Sequence, residues 1–354
     1  MVLHPQGMFL EMDYGKNIKL DLKDKKIISL LAQNSRVSMT ALAQFAGLSK
    51  DTIAYRIKRL ERLDILRRYV TFFNPFAAYN PFTIALRLEN VNEATEKAII
   101  KHLIQHPFII WAGECSGEFD YVIEILARDA THLDSILREI RSKCLSYLKQ
   151  YEVIPILSLF ADETFPKSFS KDLKIDIPSK LAPYGVSINR KLRINDARQQ
   201  FDRTDILVIK AVANNSNANI VEIARAVKVS PDVVKYRIKR MVDRNTIIGF
   251  RTIFNVSYLH YHGYVLFFSL KPATKQEQRD AFERYFAGSD DISIGLGTTG
   301  KFDYQIFLFA KDPFHFNNLL KAMRSRFSSI IEKQVSILIL KDYKLSFFPE
   351  GLMG

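Results

Sequence analysis

Cysteine is scarce: the chain of 354 residues has two, Cys115 and Cys144. Two thiols cannot build a disulfide framework, so a reducing, cytoplasmic setting is expected. Long hydrophobic runs are missing too. The longest, such as Val265–Phe268 and Ile337–Leu340, are strand-sized, far short of the ~20 apolar residues that a membrane helix needs. The opening MVLHPQGMFLEMDYGK has no basic segment followed by a long apolar one, so no secretory signal is expected. Catalytic signatures are equally thin. No Ser-His-Asp arrangement stands out, and GLGTTG at Gly295–Gly300 lacks the GK[ST] ending of a phosphate loop. His102 and His106 stand at i, i+4 without a carboxylate or cysteine to complete a metal set, and His260 and His262 are no better supported. Cys115 has Thr298 as its counterpart in the repeat described below, which argues against a shared thiol role. No metal, no cofactor and no enzymatic activity are expected.

What is abundant is positive charge: 51 Lys and Arg against 38 Asp and Glu, a net +13. An excess of that size suggests a polyanionic partner, nucleic acid or an anionic surface, and the positions of the charges must decide. With 47% hydrophobic and 25% charged residues the composition is that of a folded soluble protein. At ~150 residues per domain, two to three domains are expected.

The organisation is a duplication. The pentapeptide YRIKR occurs at Tyr55–Arg59 and again at Tyr236–Arg240, 181 residues later. At that offset Leu20–Asn74 aligns without a gap over Phe201–Asn255, with 17 of 55 positions identical. A second block, Gly117–Lys143, aligns over Gly300–Arg326 at an offset of 183, with 11 of 27 identical. Such self-similarity decides the architecture before any local reading. Between the halves lies 161–200, with Pro166, Pro178 and Pro183 and no sustained apolar period. It reads as an extended connector with one short helix.

The first block reads helix, helix, short turn, helix. Leu22, Ile27, Ile28, Leu30 and Leu31 predict a helix over 21–34, and Leu42, Ala43 and Ala46 the inward side of a second. Gly47 suits a left-handed helix end, Ser49 an N-cap, and Asp51 the positive end of the helix dipole. In the second copy Ser230 caps and Pro231 falls at the first helical position. The third helix has one apolar stripe, Ile53, Ile57 and Leu60, or Val234, Ile238 and Met241. That stripe holds basic and polar residues on the other side. A strand-like hairpin is expected next, in ILRRYVTFFN and in IIGFRTIFN. This order is that of a winged helix-turn-helix, whose recognition helix enters the major groove of double-stranded DNA. The expected DNA-binding residues are Ser49, Lys50, Thr52, Tyr55, Arg56, Arg59 and Arg62, and in the second copy Ser230, Lys235, Tyr236, Arg237, Arg240 and Arg244. The shared pentapeptide is expected to grip phosphates, and the differing helix starts, SKDT against SPDV, to discriminate bases.

The second block predicts βαββαβ, the ferredoxin-like order. The expected class is therefore α+β, with two winged helix-turn-helix and two ferredoxin-like domains in tandem. The boundaries are an N-terminal extension 1–19, helix-turn-helix domains 20–76 and 201–257, βαββαβ domains 77–160 and 258–348, and the linker 161–200.

The helix-turn-helix sequences DKKIISLLAQNSRVSMTALAQFAGLSKDTIAYRIKRLE and DRTDILVIKAVANNSNANIVEIARAVKVSPDVVKYRIKRMV, each followed by a GxFDY turn (GEFDY, GKFDY), resemble the Lrp/AsnC feast/famine transcription regulators. The resemblance covers all but the linker and the termini. It implies a DNA-binding regulator that self-associates through the RAM-type βαββαβ domains and takes a small effector, an amino acid or related metabolite, near the turn between their second and third strands. By position, that turn contains Gly117, Asp120 and Tyr121 in the first copy and Gly300, Asp303 and Tyr304 in the second. GxFDY can equally fix a turn and a strand start and nothing more. Family members have one copy per chain. Two copies suggest a pseudo-dimer within one chain, alongside pairing between chains, with two non-identical reading heads, Lys50, Thr52, Tyr55 against Pro231, Val233, Tyr236. Two rivals stand beside this reading. Siroheme decarboxylases resemble the same layout, but the turns here, WAGECSGEF and GLGTTGKF, have no His or Arg before FDY. The other rival is an effector-sensing protein that has lost DNA binding.

Overall fold

A computed structural model describes residues 18–144, 147–177, 191–194, 199–213, 215–346, 348 and 351. The helix-turn-helix of the first half is α1 (Leu22–Gln33), α2 (Met39–Ala46) and α3 (Lys50–Arg62), followed by strand β1 (Leu66–Phe73). The βαββαβ domain follows as β2 (Asn80–Leu88), α4 (Glu93–Gln105), β3 (Ile109–Ser116), β4 (Tyr121–Ala127), α5 (Ala130–Cys144) and β5 (Leu148–Asp162). A short helix α6 (Ser168–Asp172) and strand β6 (Leu192–Arg193) lie in the connector. The second half repeats the order: α7 (Arg203–Ala213), α8 (Ile220–Val227), α9 (Pro231–Asp243), β7 (Ile247–Phe254), then β8 (His262–Leu270), α10 (Gln276–Ala287), β9 (Ile292–Thr298), β10 (Tyr304–Ala310), α11 (Pro313–Phe327) and β11 (Ile331–Leu345).

The two βαββαβ domains do not remain separate. Their strands form one sheet in the order β2-β4-β3-β11-β8-β10-β9-β5, and β2 pairs back onto β5, so the eight strands close into a barrel. The joints between halves are β3 with β11 and β9 with β5, both antiparallel. They are equivalent under the duplication: Gly113 faces Asp342, and Leu296 faces Leu159, each 183 residues from its counterpart. Fusion through strands satisfies the edge N–H and C=O groups that two separate domains would expose. It accounts for the intrachain pseudo-dimer that the duplication suggested. The helices sit outside. Ile99 and Leu103 of α4 and Leu133, Ile136 and Ile140 of α5 bury against one half of the barrel wall, and Phe282 and Phe286 of α10 with Leu320, Met323 and Phe327 of α11 against the other.

The expected hairpin after each recognition helix is not there. Each half supplies one strand, and β1 pairs antiparallel with β7 across the halves. Neither segment carries an Asn-Gly or Asp-Gly pair to reverse the chain, and the other copy offers a ready partner. Val70 lies opposite Arg251 in this ribbon. These positions are equivalent at the offset of 181, so a pseudo-two-fold axis passes there. Beside it Ser35 and Ser216, also equivalent, bring their hydroxyl oxygens to 2.5 Å.

The connector is docked where it is described. Ser168 and Phe169 of α6 are buried, Lys171 reaches Asp290 at 2.7 Å, and β6 pairs with β5. Residues 178–190 and 195–198 of the connector, like most of the 1–19 extension, lie outside the described residues. Among the described residues no helix is long and apolar enough to cross a membrane.

Candidate nucleic-acid interface

Both recognition helices start as their sequences predict. Ser49 Oγ accepts from Thr52 N–H at 3.2 Å, and Ser230 Oγ accepts from Val233 N–H at 3.3 Å. The preceding helix ends in a left-handed residue in both copies: Gly47 at φ +64° and Lys228 at φ +61°. Glycine occupies that region freely and lysine does not, so the second turn carries strain of roughly 1 kcal/mol that the first avoids. Ile53 and Leu60, and in the other helix Val234, Ile238 and Met241, are buried. These anchors fix which way each helix faces.

The pentapeptide arginines are not free. Arg56 Nη1 donates to Asp21 Oδ2 at 2.8 Å and to Asp24 Oδ1 at 2.7 Å, and Arg59 Nη1 donates to Asp24 Oδ2 at 2.8 Å. In the second copy Arg237 donates to Asp202 and, at 3.0 Å, to Asp205, while Arg240 Nη2 holds both oxygens of Asp205 at 2.6 and 2.5 Å. Asp24 and Asp205 are 1% and 2% exposed. Each acid pair also caps its own helix: Asp24 N–H donates to Asp21 and Asp205 N–H to Asp202, both at 2.8 Å. The backbone N–H of Asp205, then Arg237, hold the Asp202 carboxyl below the usual range, and the bond to Asp21, then that to Asp24, raise Arg56. The expectation that Arg56, Arg59, Arg237 and Arg240 all turn toward DNA as open phosphate grips is therefore revised. They clamp the recognition helix onto the N-terminus of the first helix, because buried carboxylates attract the nearest guanidinium groups before any ligand arrives.

What stays outward is the rest of each helix. Tyr55 and Tyr236 are equally exposed, at 61%. Lys50, Arg62, Lys235 and Arg244 are exposed as well. Lys235 has Asp232 at 3.4 Å, and Arg62 Nε donates to Lys58 O at 3.4 Å. Thr52 is half-buried, its hydroxyl 2.8 Å from that of Ser49. The four clamp acids were missed as functional residues. Their signal was present: all four are identical across the repeat, at capping-box spacing, before each apolar run.

In the GxFDY turns both aspartates bond to backbone of the neighbouring strand, as the turn-fixing reading of the motif has it. Asp120 Oδ2 accepts from Leu88 N–H at 2.7 Å, and Asp303 Oδ2 from Leu270 N–H at 2.8 Å. Both carboxylates thus tie down the neighbouring strand. Arg279 donates to the other oxygen of Asp303 at 2.8 Å. Tyr121 donates to Glu96 at 2.7 Å and Tyr304 to Glu283 at 3.0 Å. Gly117 and Gly300 have φ +142° and +99°, as tight turns require. Behind Gly117 the close approach comes from β11: a Cβ there would lie 3.1 Å from Ser336 O, whereas one on Gly300 would meet nothing within 4 Å. A hollow beside the second turn is lined by Arg193, Arg279, Thr298 and Asp303. Cys115 is buried in β3 with its thiol pushed up by that burial. Burial likewise pushes His106 down to about 4. Among the described residues no group of three or more His, Cys, Asp or Glu could hold a metal ion.

Comparison with known proteins bears on both parts. A winged helix-turn-helix DNA-binding model matches residues 20–67 and 201–248, and an Lrp/AsnC ligand binding domain model matches residues 82–163. The chain is similar to the HTH-type transcriptional regulator FL11 of Pyrococcus furiosus, 30% identical over 119 residues, 33% of this chain and 78% of that protein. It is similar to the HTH-type transcriptional regulator AldR of Mycobacterium tuberculosis, 27% identical over 123 residues, 34% of this chain and 69% of that one. Over most of its length its fold is like that of the siroheme decarboxylase NirDL, with a TM-score of 0.58 at 13% identity, covering 93% of this chain and 95% of that one.

Proposed function

The chain belongs to the Lrp/AsnC family, and from that premise we propose that it is a sequence-specific transcription regulator in which one chain presents two unlike reading heads to one DNA duplex. The observation that carries this is the continuous strand-paired frame between the heads. Two helix-turn-helix units share the β1·β7 ribbon and stand on one closed barrel. Each has its arginine clamp satisfied internally and its helix start exposed. Lys50, Thr52 and Tyr55 offer a cation and two hydroxyls; Val233, Lys235 and Tyr236 offer an apolar contact, a cation and one hydroxyl. Those sets favour different base edges. The remaining positive charge supplies the sequence-independent grip and makes binding steeply salt-dependent. The hollow at the second GxFDY turn, where Arg279 and Arg193 stand near Asp303, suits a small zwitterion such as an amino acid.

The test is selection of bound sequences from a random DNA pool with the full chain, followed by gel shifts over a salt series. Two unlike half-sites are expected. Lys50→Ala should weaken binding about tenfold, lower the log–log salt slope by about 1, and alter preference in one half-site alone. Absence of any shift at low salt, or identical half-sites, would sink the reading.

The likeness to NirDL favours a second reading, a decarboxylase acting on a tetrapyrrole. Against it stand the turns WAGECSGEF and GLGTTGKF, which offer no His or Arg before FDY. An absorption spectrum after mixing with siroheme distinguishes the two: a regulator leaves the tetrapyrrole bands unshifted.

A further inference from the structure

The mouth of the barrel, beneath the β1·β7 ribbon, encloses a cavity of about 160 Å³. Every one of the eight barrel strands contributes a lining residue, and Phe72, Phe73, Ile253 and Phe254 of the ribbon roof it. Thr83 Oγ1 donates to Gln305 Oε1 at 2.6 Å across the barrel interior.

The wall is mostly apolar, yet one side of it is not. Trp111, Glu124 and Asp342 line it, and so do Ile294, Phe307 and Leu159. The second trio occupies the positions equivalent to the first, each at an offset of 183. The duplication therefore placed one residue of each kind around the axis, and here one set is polar and the other apolar. Asp342 is satisfied: Trp111 Nε1 donates to its Oδ1 at 2.9 Å. The Glu124 side chain takes part in no hydrogen bond or ion pair with the described residues. It is half-buried and lines the cavity. Burial alone pushes its carboxyl up to about 7. A carboxyl left without a partner in an apolar chamber has a desolvation penalty that a donor from a ligand would relieve.

We propose that this chamber is a binding site for a compact apolar molecule of about benzene-ring size that carries an amine, the ring packing among Trp111, Phe254, Phe307 and Ile294 and the ammonium donating to Glu124. Size follows from the volume, since a cavity of roughly 150 Å³ accommodates benzene. The amine follows from the Glu124 carboxyl, which lines the cavity and has no side-chain partner among the described residues, with Thr164 Oγ1 a second unpartnered oxygen in the same lining. The site is separate from the GxFDY turns, and it does not depend on DNA being bound.

Trp111 is the chain's one tryptophan, so its fluorescence reports on this cavity directly. The full chain is titrated with benzylamine, toluene and benzoate, and Glu124→Gln is titrated alongside, with circular dichroism to verify its fold. Benzylamine should give a saturable change, about tenfold tighter than toluene, with benzoate giving none. Glu124→Gln should weaken benzylamine about tenfold and leave toluene unaltered. The proposal falls if none of the three saturates, if benzylamine binds no tighter than toluene, or if Glu124→Gln binds benzylamine as well as the native chain does. Because the measurement contains no DNA, its failure leaves the two-headed regulator standing, and the reverse also holds.

Discussion

The two helix-turn-helix units and the two faces of the barrel mouth have the same history and opposite outcomes. In the heads, the duplicated residues still do the same work: Asp24 grips Arg56 and Arg59 just as Asp205 grips Arg237 and Arg240. In the barrel mouth, equivalent positions have parted, Glu124 against Phe307 and Asp342 against Leu159. The contrast has a physical reason. A buried carboxylate must keep a cationic partner, and loss of the carboxylate would leave two guanidinium groups beside each other uncompensated, so each clamp is held as a unit. A cavity wall has slack, and polarity on one side of it need not be matched on the other.

The largest effect should come from breaking the clamps. Asp24→Ala and Asp205→Ala are each expected to cost about 3 kcal/mol in urea-induced unfolding, in equal measure if the heads are equivalent. The partly exposed arginines bring the figure to the low end of the range for buried pairs. A cost in one half only would show that the matched geometry is not matched energetics.

Next in size is a pH effect confined to the barrel. Glu124 has its folded pKa raised, from an ordinary value near 4.5 to about 7. The folded protein therefore binds more protons than the unfolded chain between those pH values, and its stability falls as pH rises through 7. Glu124→Gln removes that loss. Thermal unfolding should show the variant more stable than the native chain by about 2 kcal/mol at pH 8, less than the full shift implies because the side chain is only half-buried, and equal to it at pH 4. A difference that is constant with pH would mean the carboxyl is not buried as described.

The smallest test compares the two turns. Gly117→Ala meets both a forbidden φ and the Ser336 carbonyl, while Gly300→Ala meets only the φ. The first should cost about 1 kcal/mol more than the second. Equal costs would show that β11 yields without resistance.

Much of this was legible in the sequence because it is local. The caps Ser49 and Ser230, the left-handed Gly47, the βαββαβ order and the stripe of Ile53 and Leu60 all follow from spacings of a few residues. The pairing of β1 with β7 was not legible, since ILRRYVTFFN reads equally well as half of a hairpin or as a strand awaiting a distant partner. The clamp was half visible. Arg56 and Arg59 announce positive charge, but only the fold brings Asp21 and Asp24 within 3 Å of them. The cavity could not be read at all, because its lining comes from eight strands spread over both halves.

The ribbon and the barrel joints have one more consequence. Two separate chains would part on dilution, and a substitution in their common gene would alter both heads at once. Here the halves share one backbone, so dilution cannot divide them within a chain and each head mutates alone. In the two-headed regulator proposed above, a single base change would retune half of a binding site while the other half kept the protein anchored to its old address.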